Sequence, residues 1–203
     1  MTANHGKHDF CLVICGEAGQ GIKSVEEMLT SVFKDMGYDI FSTKELMSRI
    51  RGGSNSTEIR IGSNLEQAFI QRIDLLVALH ADALSHLKER ISAETRVISE
   101  HEEKKTDGRL LLLPLTEIAK EAGGKLYLNT VAAGAVLGLL GRDIDGLLSY
   151  IKKRFADKGE DVITGNTTAA NAGFSRGRDL AEKMERGLPQ PPETKEEKIL
   201  LSG

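Results

Sequence analysis

The spacing of apolar and polar positions predicts that strands and helices alternate from the start of the chain. Phe10–Ile14 is a short, bulky apolar run, which is typical of a strand buried on both faces. Over Ile22–Met36 the apolar residues recur at helical spacing, and Gly37 follows in the position where glycine commonly ends a helix. The sequence therefore predicts a strand, a glycine-rich turn and a helix.

The same alternation continues, and it predicts the fold class. Glu58–Ile61 alternates polar and apolar residues, which predicts a strand with one solvent-facing side and an antiparallel element. Strand–helix alternation predicts an α/β fold of three layers, α/β/α, with a mainly parallel mixed sheet of the Rossmann-like kind. The other predicted strands are Tyr38–Ser42, Leu75–Leu79, Thr95–Glu100 and Leu110–Leu113.

The second half of the chain is predicted to be largely helical. Leu126–Gly141 is apolar almost all round and rich in alanine and glycine, which predicts a buried core helix that a neighbouring element approaches closely. Asn129 is expected to cap its start. Further helices are predicted over 145–158 and, for the most part, over 165–187.

Composition changes abruptly near the end and predicts the domain organisation. Residues 1–187 are expected to form one α/β domain. Residues 188–198 hold three of the four prolines together with several charges, which predicts a linker. Residues 199–203, with the sequence ILLSG, resemble the first strand of a following domain, so we expect the natural polypeptide to continue.

Overall charge and hydropathy narrow the function classes. A net charge of −3 predicts neither a nucleic-acid partner nor a membrane surface. No apolar run reaches the roughly 18 residues of a membrane span, and the first residues lack the apolar core of a signal peptide. We therefore expect a cytoplasmic protein.

Cysteine and histidine spacing predicts no metal site. Cys11 and Cys15 fall on one face of the first strand, roughly 13 Å apart, which is too far for a disulfide, and they are expected to be small buried hydrophobes. There is no C-x-x-C sequence to hold an iron–sulfur cluster, and the histidines lack metal-ligand spacing. No complete catalytic set is found, which favours a chain that supplies part of a site.

The turn Gly16–Gly21 carries the first candidate chemistry. It joins the predicted strand to a helix N-terminus, where free N–H groups and the helix dipole favour an anion. Its order, G-x-x-G-x-G, reverses the dinucleotide fingerprint, and Glu17 would repel a phosphate. Asp39 lies too early in the second strand for the ribose-binding acid, and Glu45 is expected in the loop that follows. The turn is a dinucleotide cradle, a structural turn, or another anion or partner site.

A second candidate loop surrounds the pair Gly52-Gly53. Arg49 and Arg51 precede the pair and Ser54 follows it, a combination suited to holding an oxyanion or a phosphate. The alternative is an ordinary β-turn with solvated basic residues.

Four stretches, taken together and in order, carry a family resemblance. They are GEAGQGI at 16–22, RIRGGSNSTEIRIG at 49–62, NTVAAGAVLGLL at 129–140 and NAGF at 171–174. The chain resembles the gamma domain of the 2-oxoacid:ferredoxin oxidoreductases, the family of pyruvate, 2-oxoglutarate and ketoisovalerate ferredoxin oxidoreductases. KILLSG also resembles the opening of the alpha domain in fused gamma–alpha subunits. The sequence departs from the family at Ala18, where glycine is usual.

The resemblance implies a function for the complete enzyme. It would convert a 2-oxoacid and coenzyme A to acyl-CoA and CO₂ while reducing ferredoxin. Thiamine diphosphate, magnesium and iron–sulfur clusters are expected in partner domains, with coenzyme A as a shared ligand and no cofactor bound by this chain alone. By carry-over, the candidate anion or interface contacts are Gly19, Gln20, Gly21, Arg51, Gly52, Gly53 and Ser54.

The resemblance also implies partners. These are an alpha domain in the same polypeptide, a beta subunit that binds thiamine diphosphate, and a ferredoxin or ferredoxin-like subunit. The domain by itself is expected to be inactive, and its uncovered partner surface favours a homodimer. Two other functions stay open: an independent nucleotide-binding oxidoreductase with a degenerate glycine fingerprint, and a non-catalytic assembly module.

Overall fold

A computed structural model describes residues 9–45, 54–63, 70–101 and 108–191. The strands are β1 (Asp9–Glu17), β2 (Asp39–Glu45), β3 (Ser54–Gly62), β4 (Leu75–Ala78), β5 (Arg96–Ser99) and β6 (Leu110–Leu112). The α-helices are α1 (Ile22–Asp35), α2 (Ala83–His86), α3 (Leu115–Glu121), α4 (Leu128–Leu139), α5 (Asp145–Arg154) and α6 (Glu160–Arg178).

The strands form one mixed sheet in the order β2-β3-β1-β4-β5-β6. Strands β1, β4, β5 and β6 are parallel, and β3 runs antiparallel to both of its neighbours. Because β3 is antiparallel to both β1 and β2, β2 runs in the same direction as β1. The predicted α/β class, the mainly parallel sheet and the antiparallel element are confirmed.

The helices are distributed unequally over the two faces of the sheet. The larger core cluster joins one face to side chains of α1, α3, α4, α5 and α6. The smaller cluster, on the other face, contains Cys11, Val13 and Cys15 with Ala83 of α2 and Leu87. The third of the three predicted layers is therefore thin in the described part of the chain, where a single turn of helix lies against that face.

Helices α4 and α6 are in direct backbone contact. A Cβ atom added to Gly134 or Gly138 would lie 2.2 or 2.1 Å from a carbonyl oxygen of α6. A Cβ on Gly173 or Gly177 would lie 2.1 Å from a carbonyl oxygen of α4. The close approach predicted from the small residues of α4 is confirmed. That α6 supplies a matching glycine pair was not predicted.

Strand β3 corrects one expectation. The polar side of this strand was predicted to face solvent, but Glu58 and Arg60 are only 4% and 7% exposed. Each is buried with an ionic partner, because Arg90 Nη2 lies 2.5 Å from Glu58 Oε2 and Arg60 Nη2 lies 2.6 Å from Asp9 Oδ2. Local alternation cannot distinguish a solvated charge from a charge that is neutralised by a distant residue.

An ionic cluster lies at the end of the sheet where β1 begins. Asp9 Oδ1 lies 2.7 Å from Arg72 Nη2, and Arg72 Nε lies 3.0 Å from Asp74 Oδ1. Arg186 Nε lies 3.3 Å from the same oxygen of Asp74, and Nη2 of Arg186 donates to the backbone oxygen of Asp9 at 3.0 Å. The cluster therefore ties the segment after α6 to the first strand.

The segment that follows Arg186 packs on the domain. Leu188 is buried, and Tyr38 Oη donates a hydrogen bond to the carbonyl of Pro189 at 2.8 Å. The first residues of the predicted linker are thus attached to the core. Residues 192–203 lie outside the described ranges, and the boundaries at 187, 198 and 199 stay predictions.

Candidate functional site at the carboxyl edge of the sheet

The sheet topology indicates where a ligand would bind. The carboxyl ends of β1, β2, β4, β5 and β6 share one edge of the sheet, at which β3 also begins; we call it the carboxyl edge. After β1 the chain continues to β2, which lies on one side of β1 in the sheet, whereas β4 lies on the other side of β1. The direction in which strands are added to the sheet therefore reverses at β1. In open α/β sheets, ligands bind beside such a reversal, outside the carboxyl ends of the strands.

The turn Gly16–Gly21 lies at this point and connects β1 to α1, as predicted. The Gln20 side chain closes the turn, because its Oε1 accepts the Glu17 N–H at 2.7 Å while the Gln20 N–H donates to the Glu17 carbonyl at 3.1 Å. A Cβ on Gly16 would lie 2.7 Å from this Oε1. The observed role of the Gln20 Oε1 atom is therefore within the turn.

Gly19 and Gly21 both adopt positive φ, +95° and +78°, but their surroundings differ. A Cβ on Gly19 would meet nothing within 4 Å, so this glycine borders open space. A Cβ on Gly21 would lie 1.9 Å from Asn129 Nδ2. Of these two candidate residues, Gly19 faces the space that a ligand could use, and Gly21 provides room for Asn129.

Asn129 does not cap α4 as expected. A 3₁₀ turn, Lys125–Tyr127, precedes the helix, which begins at Leu128 with Tyr127 in the cap position. The Asn129 side chain contacts Gly21 instead, and its Oδ1 atom is buried with no hydrogen-bond partner in the described part of the chain. Asn129 was missed as a site residue because only the tertiary fold brings α4 to the glycine turn.

The N-terminus of α1 opens onto the same edge. Gly21 is in the cap position, no side chain caps the helix, and no acidic residue lies in its first turn. The N-terminus of a helix carries partial positive charge and outward-pointing N–H groups, which favour a bound anion. Glu17, at the other end of the turn, is exposed and opposes one.

Ser54, which ends the second candidate loop, lies at this edge beside the glycine turn. In the register of β1 with β3, Ser54 is the cross-strand partner of Glu17, and Asn55 is the partner of Gly16. Ser54, the last residue of the second candidate loop, is buried beside the glycine turn. Arg51, Gly52 and Gly53 precede Ser54 in the sequence and lie outside the described residues.

The position of Glu45 weakens the dinucleotide alternative. Glu45 is the last residue of β2, not part of the following loop as expected, so it stands at the strand end where a ribose-binding acid would be found. However, β3 lies between β2 and β1. Two strand spacings, roughly 10 Å, therefore separate the end of β2 from the glycine turn, twice the separation in the dinucleotide fold.

The cysteines do not fit a cluster or a nucleophile. Cys11 and Cys15 are fully buried, and burial raises the pKa of both thiols, that of Cys15 to about 12 with help from the charge of Glu45. Within the ranges described, no three His, Cys, Asp or Glu side chains are grouped to hold a metal ion. The same ranges contain no helix both long and apolar enough to cross a bilayer.

Comparison with known proteins identifies the family. Residues 11–176 match the family described as pyruvate ferredoxin/flavodoxin oxidoreductase. The chain is 29% identical to the 2-oxoglutarate synthase subunit KorC of Archaeoglobus fulgidus over 172 residues, which are 83% of this chain and 88% of that subunit.

Solved structures show the same fold. A 2-oxoglutarate:ferredoxin oxidoreductase from Magnetococcus marinus, with 2-oxoglutarate, coenzyme A and succinyl-CoA bound, matches 92% of this chain with a TM-score of 0.77 and 24% identity. This chain spans only 34% of the length of that one. The pyruvate oxidoreductase subunit PORC of Thermotoga maritima matches with a TM-score of 0.69 and 23% identity, over 83% of this chain and 97% of that subunit. The gamma subunit of a keto/oxoacid ferredoxin oxidoreductase from Geobacter sulfurreducens has the same fold, with a TM-score of 0.68 and 18% identity over 85% of this chain. The chain therefore belongs to the pyruvate ferredoxin/flavodoxin oxidoreductase family.

Proposed function

We propose that this chain is the gamma component of a 2-oxoacid:ferredoxin oxidoreductase and that its carboxyl edge contacts coenzyme A. The observation that supports the proposal is the pairing of Glu17 with Ser54, which puts the last residue of the second candidate loop next to the end of β1, where the glycine turn begins. The coenzyme A and succinyl-CoA bound in the Magnetococcus marinus enzyme support the choice of ligand.

The residues of this edge have distinct proposed tasks. The N-terminus of α1 favours the negative charge of a phosphate, and Gly19 leaves the backbone open to close approach. Glu17 repels phosphate, and the positive charge of Arg51 would offset this repulsion, so we assign the anion contact to Arg51, Gly52, Gly53 and Ser54. A guanidinium and backbone N–H groups are suited to phosphate oxygens.

Decarboxylation and electron transfer are assigned to the partners. Thiamine diphosphate, with magnesium, supplies the electron sink of 2-oxoacid decarboxylation when it is bound. The two buried cysteines of this chain do not fit the four thiolates that an iron–sulfur cluster requires. We therefore propose an alpha domain, a beta subunit holding thiamine diphosphate and a ferredoxin-like subunit as partners, with this chain contributing to coenzyme A binding and assembly.

The test is the substitution Arg51→Ala in the assembled enzyme. Loss of one charge-assisted contact, about 1.5–3 kcal/mol, should raise the KM for coenzyme A roughly tenfold or more and leave the KM for the oxoacid unchanged. Arg176→Ala, at an exposed position of α6, is the matched control. Unchanged coenzyme A kinetics with impaired assembly would favour the assembly-module alternative. If neither the coenzyme A kinetics nor the assembly changed, the ordinary β-turn would be the remaining interpretation of the loop around Gly52-Gly53.

We propose that the chain by itself is catalytically inactive. It would be mixed with thiamine diphosphate, magnesium, coenzyme A, a viologen dye and each of pyruvate, 2-oxoglutarate and ketoisovalerate. No oxoacid-dependent dye reduction is expected. Oxoacid-dependent reduction of the dye above the enzyme-free control would mean that the catalytic groups lie in this chain. That result would contradict the assignment of decarboxylation and electron transfer to the partners.

A further inference from the structure

A polar groove lies over β2 and β3, on the face of the sheet that carries α2. Its volume is about 340 Å³. The register of the two strands places Thr43 opposite Glu58 and Glu45 opposite Ser56, so four polar side chains of two adjacent pairs share this face. The lining residues are Thr43, Lys44, Glu45, Ser56, Glu58 and Arg90.

Glu58 gives the groove an unused hydrogen-bond acceptor. The residue is only 4% exposed, and its Oε2 atom accepts a hydrogen bond from Arg90 Nη2 at 2.5 Å. Its Oε1 atom is buried and has no hydrogen-bond partner among the residues that the structure describes. A buried carboxylate oxygen without a donor is unfavourable. A ligand that offers N–H groups would satisfy it.

The charges around the groove favour a cation. Lys44 is already paired, with its Nζ atom 3.0 Å from Glu26 Oε2. Arg90 is paired with Glu58. Among the described residues, the carboxylate of Glu45 meets Ser56 Oγ at 3.4 Å and His86 Nε2 at 3.8 Å. Because Glu26 neutralises Lys44 and Glu58 neutralises Arg90, the described side chains leave the carboxylate of Glu45 without a lysine or arginine partner.

We infer that the groove binds the guanidinium group of an arginine side chain supplied by a partner subunit. A guanidinium carries five N–H donors in a planar fork, so one group can address the free oxygen of Glu58 and the carboxylate of Glu45 together. An ammonium is a more compact, more strongly hydrated charge and is less suited to two separated acceptors. The inference rests on the proposed function only in assuming that the chain works within a complex.

The chemistry of the groove is tested on the 203-residue chain with n-butylguanidinium. Calorimetric titration and thermal unfolding should show binding in the millimolar range, whereas tetramethylammonium at equal ionic strength, which has no N–H donor, should not bind. Glu45→Gln, at a side chain that is 57% exposed, should weaken binding at least threefold. Glu27→Gln on α1 is the matched control. Equal responses to both cations, or binding unaffected by Glu45→Gln, would overturn the inference.

Glu58→Gln is a second variant, which keeps the shape of the side chain and removes its charge. Binding of n-butylguanidinium should be lost while the far-ultraviolet circular dichroism of the chain is kept. Full retention of binding in a folded Glu58→Gln chain would contradict the assignment of Glu58 as the acceptor.

The source of the guanidinium is tested in the assembled complex. If a partner arginine occupies the groove, the complex should bind at least tenfold less n-butylguanidinium per gamma chain than the separate chain does. Glu45→Gln should also weaken subunit association without changing the affinity for coenzyme A. Equal binding in both forms would overturn the partner assignment. A failure of the coenzyme A proposal would appear only in the coenzyme A titration, so the two can be distinguished.

Discussion

Asn129 lies so close to Gly21 that a Cβ atom built on the glycine would be 1.9 Å from Asn129 Nδ2. This contact attaches the start of α4 to the turn between β1 and α1. It joins two parts of the chain that each carry a family stretch, GEAGQGI and NTVAAGAVLGLL.

Gly21→Ala should therefore destabilise the chain more than Gly19→Ala does. Both substitutions put a side chain at positive φ, which costs about 1–2 kcal/mol. Only Gly21→Ala also forces Asn129 aside, so its total cost should be about 2–4 kcal/mol. Urea unfolding measures both variants. Asn129→Ala in the Gly21→Ala background should restore part of the loss, and equal losses at the two glycines would contradict the contact.

The contact between α4 and α6 predicts that alanine is not tolerated at its glycines. Gly134→Ala and Gly173→Ala would each place a methyl group within 2.2 Å of a backbone oxygen, and backbone cannot move aside as a side chain can. We expect losses of about 3 kcal/mol or more in urea unfolding, at the upper end of overpacking costs.

Gly146→Ala is the matched helical control for those two variants. Its new Cβ would lie 3.3 Å from a methyl group of Val32, which can adjust. Because alanine favours the helix by about 1 kcal/mol over glycine, this variant should be neutral or slightly stabilised. A loss as large as that of Gly134→Ala would show that helical glycines are sensitive here for another reason.

The ionic cluster at the amino end of β1 predicts how stability depends on pH. Burial by itself raises the pKa of Asp9, but hydrogen bonds and charges from Arg72 and Arg60 outweigh burial and lower it below the usual 3.8. A lowered carboxyl pKa contributes stability above the unfolded-state pKa, and this contribution is lost as pH falls through the folded-state pKa.

Asp9→Asn should therefore cost about 3–5 kcal/mol near neutral pH, because it removes the buried carboxylate that pairs with both Arg60 and Arg72. The difference from the wild type should be constant from about pH 5 to 7 and should shrink as pH falls below about 4, where Asp9 of the unfolded chain begins to take up protons. Urea unfolding across this range checks it, with Asp35→Asn on the exposed side of α1 as the control. A difference that grows towards acid pH would contradict the sign.

The two thiols should be unreactive in the folded chain. Burial raises the pKa of Cys15 to about 12, and Cys11 is shifted in the same direction, so almost no thiolate exists at pH 8. Ellman's reagent should label neither cysteine in buffer within an hour and both in urea. Rapid labelling of one thiol in buffer would mean that the first strand is accessible in solution.

The sequence by itself determined most of the local structure. Apolar periodicity predicted α1 almost to the residue and predicted β1 with an end three residues too early, because a buried strand and an amphipathic helix impose different spacings over short segments. The family was likewise evident from ordered motifs. Local spacing did not predict the end of a strand that is extended by pairing with its neighbour. Strand β2 continues to Glu45, beyond the predicted Ser42, because β3 pairs with it to that point.

The composition of the site was decided by the tertiary structure. Glu17 and Ser54 meet because β3 is inserted between β1 and β2, and no local pattern encodes which strands are neighbours. Glu58 is buried because Arg90, 32 residues later, returns to pair with it. Sequence patterns report what each segment prefers by itself. Pairing partners, buried charges and contacts such as that of Asn129 with Gly21 are chosen by the packing of segments far apart in the chain, and only the folded molecule contains that information.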